Sequence, residues 1–376
     1  MKLTPIFAAA LAAAATAAAA QELPRQLAWT AYDTGSAGYN QAVAAGAAMQ
    51  NAHGTSLRVL PGKNDVSRAE PLRQGKVQFS STGVGGAFMS QEGVFEFAAK
   101  NWGPQKVRVL LANNSGETGL AVGVAGDIGV KEYADLKGKR VAWVKGAPSL
   151  NENIGAYLAY AGLTWDDVER VEFGGFGDAW KGLAGDQVDA AFATTNSGHA
   201  YEAAAGPRGL IWPPIDPANT EGLARMQEIA PFFSPVTATV GASIDGGPGA
   251  PTATYAYPVL VAMADQDEEL VYNMTKALVE LFPEYKDKVP GINGWAIEKQ
   301  NFEWVTPYHD GAVRYFKEIG VWTDAAEAHN QNLIAKQDLL AEAWAKLLEE
   351  NPDDWAGAWD ARRREALSAA GYKVVF

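Results

Sequence analysis

The sequence predicts an α/β protein of two lobes, each built on a mainly parallel, doubly wound sheet, joined by a hinge and followed by an α-helical C-terminal extension. Three observations carry this. Short apolar runs alternate with helical patterns through the first two-thirds of the chain, the grammar of a parallel sheet with crossover helices. The same grammar starts afresh near residue 139 without detectable sequence repetition. The chain of 376 residues is also longer than one hydrophobic core usually serves.

Residues 27–32 form the first expected strand, followed by a turn containing Gly35 and Gly38 and an alanine-rich helix over 38–50. A strand at 56–60, a helix at 67–74 and a strand at 77–81 come next, with further strands at 106–111 and 119–124. The second round runs from a strand at 139–144 through a turn at 146–151 to a helix at 152–161. A strand at 168–173, a helix starting at 178 and a strand at 188–194 complete it. Residues 206–256, rich in Gly and Pro, read as irregular. A strand is expected within 254–264 and an amphipathic helix over 265–282, where Leu270, Val271, Met274, Leu278 and Leu281 share a face and Asp265 or Asp267 offers an N-cap. Beyond Trp322, helical spacing of Leu339, Leu340, Trp344, Leu347 and Leu348 predicts that 323–376 is helical and packs on one lobe, its tryptophans serving as core.

The first residues indicate export. Lys2 begins a short positive segment, residues 6–15 are apolar and alanine-dominated, and Ala18 and Ala20 make the small-x-small pattern of a signal peptide, 1–20, cleaved near Ala20 to leave Gln21 first. Loss of Lys2 takes the formal net charge from −13 to −14. An acidic surface argues against nucleic acid and anionic membranes as partners. With no cysteine, stability must come from the core rather than from disulfides. No later segment reaches 18 consecutive apolar residues, so no membrane insertion is expected.

Enzyme signatures are sparse. There is no thiol, the four histidines are scattered, and neither a G-x-S-x-G elbow nor a P-loop occurs, so neither metal nor cofactor is expected and the protein reads as a non-enzyme. Four turns after strand ends are instead rich in hydroxyls and amides. The first supplies Thr34, Gly35, Ser36, Ala37, Gly38 and Tyr39; the second Ser80, Ser81 and Thr82; the third Pro148, Ser149, Leu150 and Asn151; the fourth Thr194, Thr195 and Asn196. Helix N-termini expose unpaired N–H groups and partial positive charge, which hold carboxylate or phosphate. In open α/β sheets, ligands bind beyond the carboxyl ends of the strands. Such turns without an acid/base pair suggest binding without chemistry, with Tyr39 and Trp180 as expected aromatic walls.

Residues 267–285, "DEELVYNMTKALVELFPEY", followed by "TPYHDGAVRYFKEIGVW" at 306–322, closely resemble the TAXI family of TRAP-transporter solute-binding proteins. "TGSAGYN", "DLKGKRVAW" and "GDQVDAAF" resemble that family's other landmarks in the same order, so the resemblance runs from about 27 to 322. It implies a two-lobe periplasmic binding protein serving a sodium-coupled TRAP permease, with a small carboxylate such as glutamate, 2-oxoglutarate or another dicarboxylate as ligand. It carries the turns at 34–39, 80–82 and 148–151 into the ligand site and brings Asn64, within "PGKND", beside them. His309 is read as positioning a helix. The expected division is lobe 1 over 22–120 and 260–322, lobe 2 over 121–259, hinges near 119–125 and 256–262, and the protein is expected to be a periplasmic monomer. An ABC-importer binding protein, an exported hydrolase using the same cleft, and a sensory module are the alternative readings.

Overall fold

The computed structural model describes residues 23–376; the expected signal segment and its cleavage site lie outside them. The first lobe begins with β1 (Gln26–Ala31), α1 (Ala37–His53), β2 (Ser56–Pro61), α2 (Asp65–Arg73), β3 (Phe79–Thr82), the short α3 (Ser90–Glu92) and β4 (Val107–Ala112). The second comprises β5 (Leu120–Ala125), β6 (Arg140–Val144), α4 (Pro148–Tyr160), β7 (Glu169–Phe173), α5 (Phe176–Ala184), β8 (Ala190–Thr194), α6 (Gly198–Ala205) and β9 (Leu210–Ile211). α7 (Thr220–Ile229) packs on α4, and a hairpin of β10 (Ser234–Ala238) and β11 (Ala250–Thr254) follows it. β12 (Val259–Met263) then returns to the first lobe, and α8 (Glu268–Glu280), α9 (Phe282–Tyr285) and α10 (Asp310–Glu318) complete it.

Two five-stranded sheets result, ordered β2-β1-β3-β12-β4 and β7-β6-β8-β5-β9. Both are mainly parallel, as expected, with one strand of each reversed. β12 runs antiparallel to β3 and β4, and β5 antiparallel to β8 and β9. The cause is the crossing itself. The other strands of each sheet point their carboxyl ends at the cleft, whereas β5 and β12 arrive from the opposite lobe and must start there: Leu120 lies against Thr194, and Val259 against Thr82. The crossings are therefore the stretches 113–119 and 255–258.

Burial explains the strand composition. Every residue of β4, β5 and β8 is buried, which is why these runs, Arg108 apart, are continuously apolar or small rather than alternating. Helix ends are set by local chemistry. Ser36 caps α1, which ends at Gly54 in the left-handed region (φ +68°). His309 is the N-cap of α10, its Nδ1 accepting from Gly311 N at 3.2 Å, so the ring is used to start a helix. Burial lowers the affinity of His309 for a proton, in keeping with an accepting, neutral ring.

The stretch expected to be irregular contains α7 and the β10–β11 hairpin. Asn219 caps α7 by accepting from Gly222 N, a short-range signal hidden among flanking prolines and glycines. The C-terminal extension is two helices, α11 (Asp324–Glu350) and α12 (Trp355–Ala369). They enclose a small core of their own around Leu340, Trp344, Leu347, Trp359 and Leu367. A buried charge cluster ties them to lobe 1: Glu92 meets Lys336 and, at 3.1 Å, Arg363.

Candidate functional site

The strand carboxyl ends of the two lobes face each other, and their turns are hydrogen-bonded across the gap. Gly198 N donates to Gly35 O (3.0 Å), Phe176 N to Lys63 O (2.9 Å) and Val66 N to Gly146 O (3.1 Å). Asn64, the N-cap of α2, donates its Nδ2 to Lys145 O at 3.0 Å. Gly177 N donates to the Asp33 carboxylate at 3.3 Å. The lobes are thus closed upon each other.

Closure leaves a cavity of about 20 Å³ walled by Tyr32, Phe176, Phe192, Tyr255 and Tyr257, with Ser36, Thr194 and Ser197 as its polar lining. That is room for about one water, so an organic ligand requires the lobes to part. Two helices from opposite lobes start at this cavity. Ser36 Oγ accepts from Tyr39 N (3.2 Å) at the start of α1. Ser197, the N-cap of α6, is 1 % exposed, and its Oγ has no hydrogen-bond partner among the described residues. Both helices turn the positive ends of their dipoles toward the same small volume.

Beside the cavity lies an ion pair that sequence reasoning missed. Asp65 and Arg68, one turn apart on α2, are both fully buried and hydrogen-bonded. The Asp65 carboxylate also accepts from Tyr32 OH (3.3 Å) and from Ser149 N (2.8 Å). It nests against Gly85, where an added Cβ would come within 2.3 Å of it. Arg68 lies over the Tyr32 ring, 3.1 Å from its centroid. Burial pushes the Tyr32 hydroxyl well above its ordinary pKa, so it stays a neutral donor. The first turn of α4, expected to meet a ligand anion, thus meets the protein's own carboxylate.

The remaining expected residues divide by what their atoms already do. Leu150 lines the cavity, while Pro148 occupies the first turn of α4. Asn151 is spent on its own turn, accepting from Val144 N and donating to Val144 O, both at 3.0 Å. Ser80 accepts from Thr30 Oγ1 (2.8 Å), Thr82 faces Arg68 Nε at 3.5 Å, and Ser81 Oγ is buried without a partner. Thr195 accepts from Gly119 N and donates to Val240 O, tying a crossing to the hairpin arm, and Asn196 donates to Pro290 O. Thr34 O faces His199 Nε2 at 3.2 Å, Ala37 is buried in the first turn of α1, and Gly38 backs onto Tyr257, whose hydroxyl would lie 2.9 Å from an added Cβ.

Two aromatic expectations are corrected. Trp180 sits one turn deeper in α5 than Phe176; it is buried in lobe 2, donates to Phe192 O (3.1 Å) and packs on Trp212, so it is core. Tyr39 faces the groove between α1 and α9 rather than the cavity. Tyr32, Phe176, Phe192, Tyr255 and Tyr257 form the walls instead. "TYAYP" and the Ser of "TTNSGH" were legible signals for three of the cavity residues, since a hydroxyl before a Gly-started helix is an N-cap pattern.

Two further carboxylates introduce pH dependence. Burial pushes Glu152 on α4 up to about 7, the nearby Glu96 carboxylate adding to the rise, and burial raises Glu96 as well. Between the ordinary value of 4.5 and about 7 the folded chain holds more protons than the unfolded one, so stability falls as pH rises through that window. Glu152→Gln is expected to flatten this slope in melting curves recorded from pH 4.5 to 7.5; an unchanged slope would assign it to other groups.

A sequence model of the NMT1-like family matches residues 33–320, which include both crossings and every strand of the two sheets except β1. The chain belongs to the NMT1-like family. This NMT1-like chain is also similar to solved binding proteins. An ancestral arginine-binding protein bound to arginine is 16 % identical, with 73 % of this chain and 99 % of that one covered and a TM-score of 0.42. An ABC-transporter periplasmic binding protein from Brucella ovis with glutathione bound is 14 % identical over 69 % of each chain, TM-score 0.43. The alkanesulfonate-binding protein from Xanthomonas axonopodis pv. citri, bound to MOPS, is 13 % identical over 85 % and 95 %, TM-score 0.42. At these values the likeness carries no argument about ligand or partner. The α-helical extension at 324–376 lies beyond the family match.

Proposed function

We propose that the protein is an exported, non-catalytic solute-binding receptor that closes its lobes over a small organic anion and delivers it to a membrane importer. The observation behind this reading is the convergence of two helix N-termini, from α1 and α6, on one aromatic-walled cavity, with the buried Ser197 hydroxyl there lacking a partner. Neutral N–H and O–H donors would hold the anion while the rings cover its stem. Two importer classes fit a receptor of this kind: an ABC importer, the class named for the Brucella ovis protein, and a TRAP permease, the class implied by the motif resemblance. Uptake in vesicles driven by ATP or by a sodium gradient separates them.

The test is a thermal-shift panel of mono- and dicarboxylates, amino acids and 2-oxo acids, followed by calorimetry on the best ligand. At a hundredfold excess over Kd, binding adds about 2.7 kcal/mol of stability. Ser197→Ala and Ser36→Ala should each weaken binding by about 5- to 150-fold, the worth of about 1–3 kcal/mol for a hydrogen bond to a charged group. Both should still fold, because the Ser36 cap lost to Ala costs about 1 kcal/mol, and Ser197 Oγ makes no cap bond to lose. A panel in which sugars or polyamines shift the midpoint and carboxylates do not would refute the reading.

A further inference from the structure

We infer that the cleft selects an organic anion carrying a single charge and an uncharged tail, and discriminates against dicarboxylates and amino acids. This rests on the receptor reading above and narrows its ligand. Behind the closed cavity, at the crossings between the lobes, lies a second cavity of about 240 Å³. Leu120, Thr194, Tyr255 and Tyr257 line both, so the two are compartments of one site parted by a wall of those side chains. The larger compartment offers Asn113, Asn114, Ser234, Thr254, Asn301 and Trp304. The Nδ2 of Asn114 is buried and without a partner among the described residues, a donor open to a keto, ether or amide oxygen in the tail.

No charged side chain is found among the described residues lining either compartment. Of the charges nearby, Lys299 donates its Nζ to the backbone O of Ser115 at 3.2 Å behind the larger compartment, and Arg68 keeps its Nη1 buried without a partner among the described residues. Asp65 and Arg68 are paired with each other, and Arg68 lies on the Tyr32 ring, lining neither compartment. The Asp33 carboxylate accepts from Gly177 N and Thr34 N. One anionic group is matched by the ends of α1 and α6. A second carboxylate would lose its water against amides and rings with no cation lining either compartment, and an ammonium would find no carboxylate among the lining residues. Charge buried without a partner is strongly disfavoured.

The test is calorimetry on the full-length mature chain with probe sets matched in length: a linear monocarboxylate, its keto derivative, the dicarboxylate, the α-amino acid and the neutral amide. The monocarboxylate or keto acid is expected to bind at least tenfold more tightly than the dicarboxylate and the amino acid, about 1.4 kcal/mol. A dicarboxylate or amino acid that binds as tightly as the best monocarboxylate overturns the inference and leaves the anion receptor standing. If the amide binds as well as the acids, or no acid binds, both are overturned. Ser234→Lys, which puts a cation in the larger compartment, should raise dicarboxylate affinity at least tenfold without changing that of the shortest monocarboxylates. No gain at any length would show that the tail does not reach there.

Discussion

Asp65→Ala is expected to destabilise the protein by about 3–5 kcal/mol, because it leaves the Arg68 guanidinium fully buried with its main partner gone. The same substitution removes the acceptor of Ser149 N, one of the bonds holding the lobes together. The double variant Asp65→Leu with Arg68→Met removes both charges and should recover most of the loss, since an uncharged pair of similar bulk has no desolvation to repay. Chemical denaturation of the wild type, both single variants and the double variant yields the coupling energy. Singles and double alike within about 1 kcal/mol of wild type would mean that the pair is exposed to water often enough to need no partner. The lobe contact can be followed separately. Asp65→Asn keeps an oxygen for Ser149 N and should therefore lose less of the closed state, seen by small-angle scattering, than Asp65→Ala does.

Trp359→Ala is the second large effect, at about 3–5 kcal/mol for a fully buried indole. Its ring meets Trp344 edge-on at 4.7 Å, and its Nε1 donates to Gly93 O at 2.6 Å. The loss should be local. The tryptophan core of α11 and α12 is separate from the main core, so the extension is expected to loosen while the lobes keep their packing. Hydrogen exchange should rise across 324–376 and stay unchanged in β4 and β5. Uniform exchange throughout the chain would instead make the extension part of one cooperative unit with the lobes.

How far the sequence reached depended on the range of the interactions involved. Strand positions at 26–31, 56–61 and 140–144 were legible within a residue or so, because apolar runs between turn residues record burial locally. The start of α1 was legible for the same reason: Ser36 caps within three residues of itself. α2 begins at Asp65, earlier than its apolar pattern suggested, because Asn64 and Ser67 form a reciprocal cap. Strand direction was not legible, since an apolar run is the same whether β12 enters its sheet from one end or the other. The site divides likewise. Of the turns expected at 34–39 and 194–196, Ser36 and Thr194 line the cavity, joined by Ser197, the helix cap one residue past the second turn. Nothing local in the sequence marks Asp65 and Arg68 for burial. Their burial depends on Tyr32 and Gly85, distant in the chain though in the same lobe, and on Ser149, which meets α2 only when the lobes come together.

The insertion of β12 between β3 and β4 also sets an order of assembly. The second sheet draws all its strands from one continuous stretch, β5 through β9, so it can form as soon as that stretch exists. The first sheet holds a gap in its middle until residues 259–263 arrive, and Val261 must find Ser80 and Val109 across the whole of the other lobe. Pairing over such separations pays a large loop-closure entropy before any contact repays it. The lobe whose sequence begins first is therefore the one that finishes last, and until it does β3 and β4 present unpaired edges open to pairing with a foreign strand.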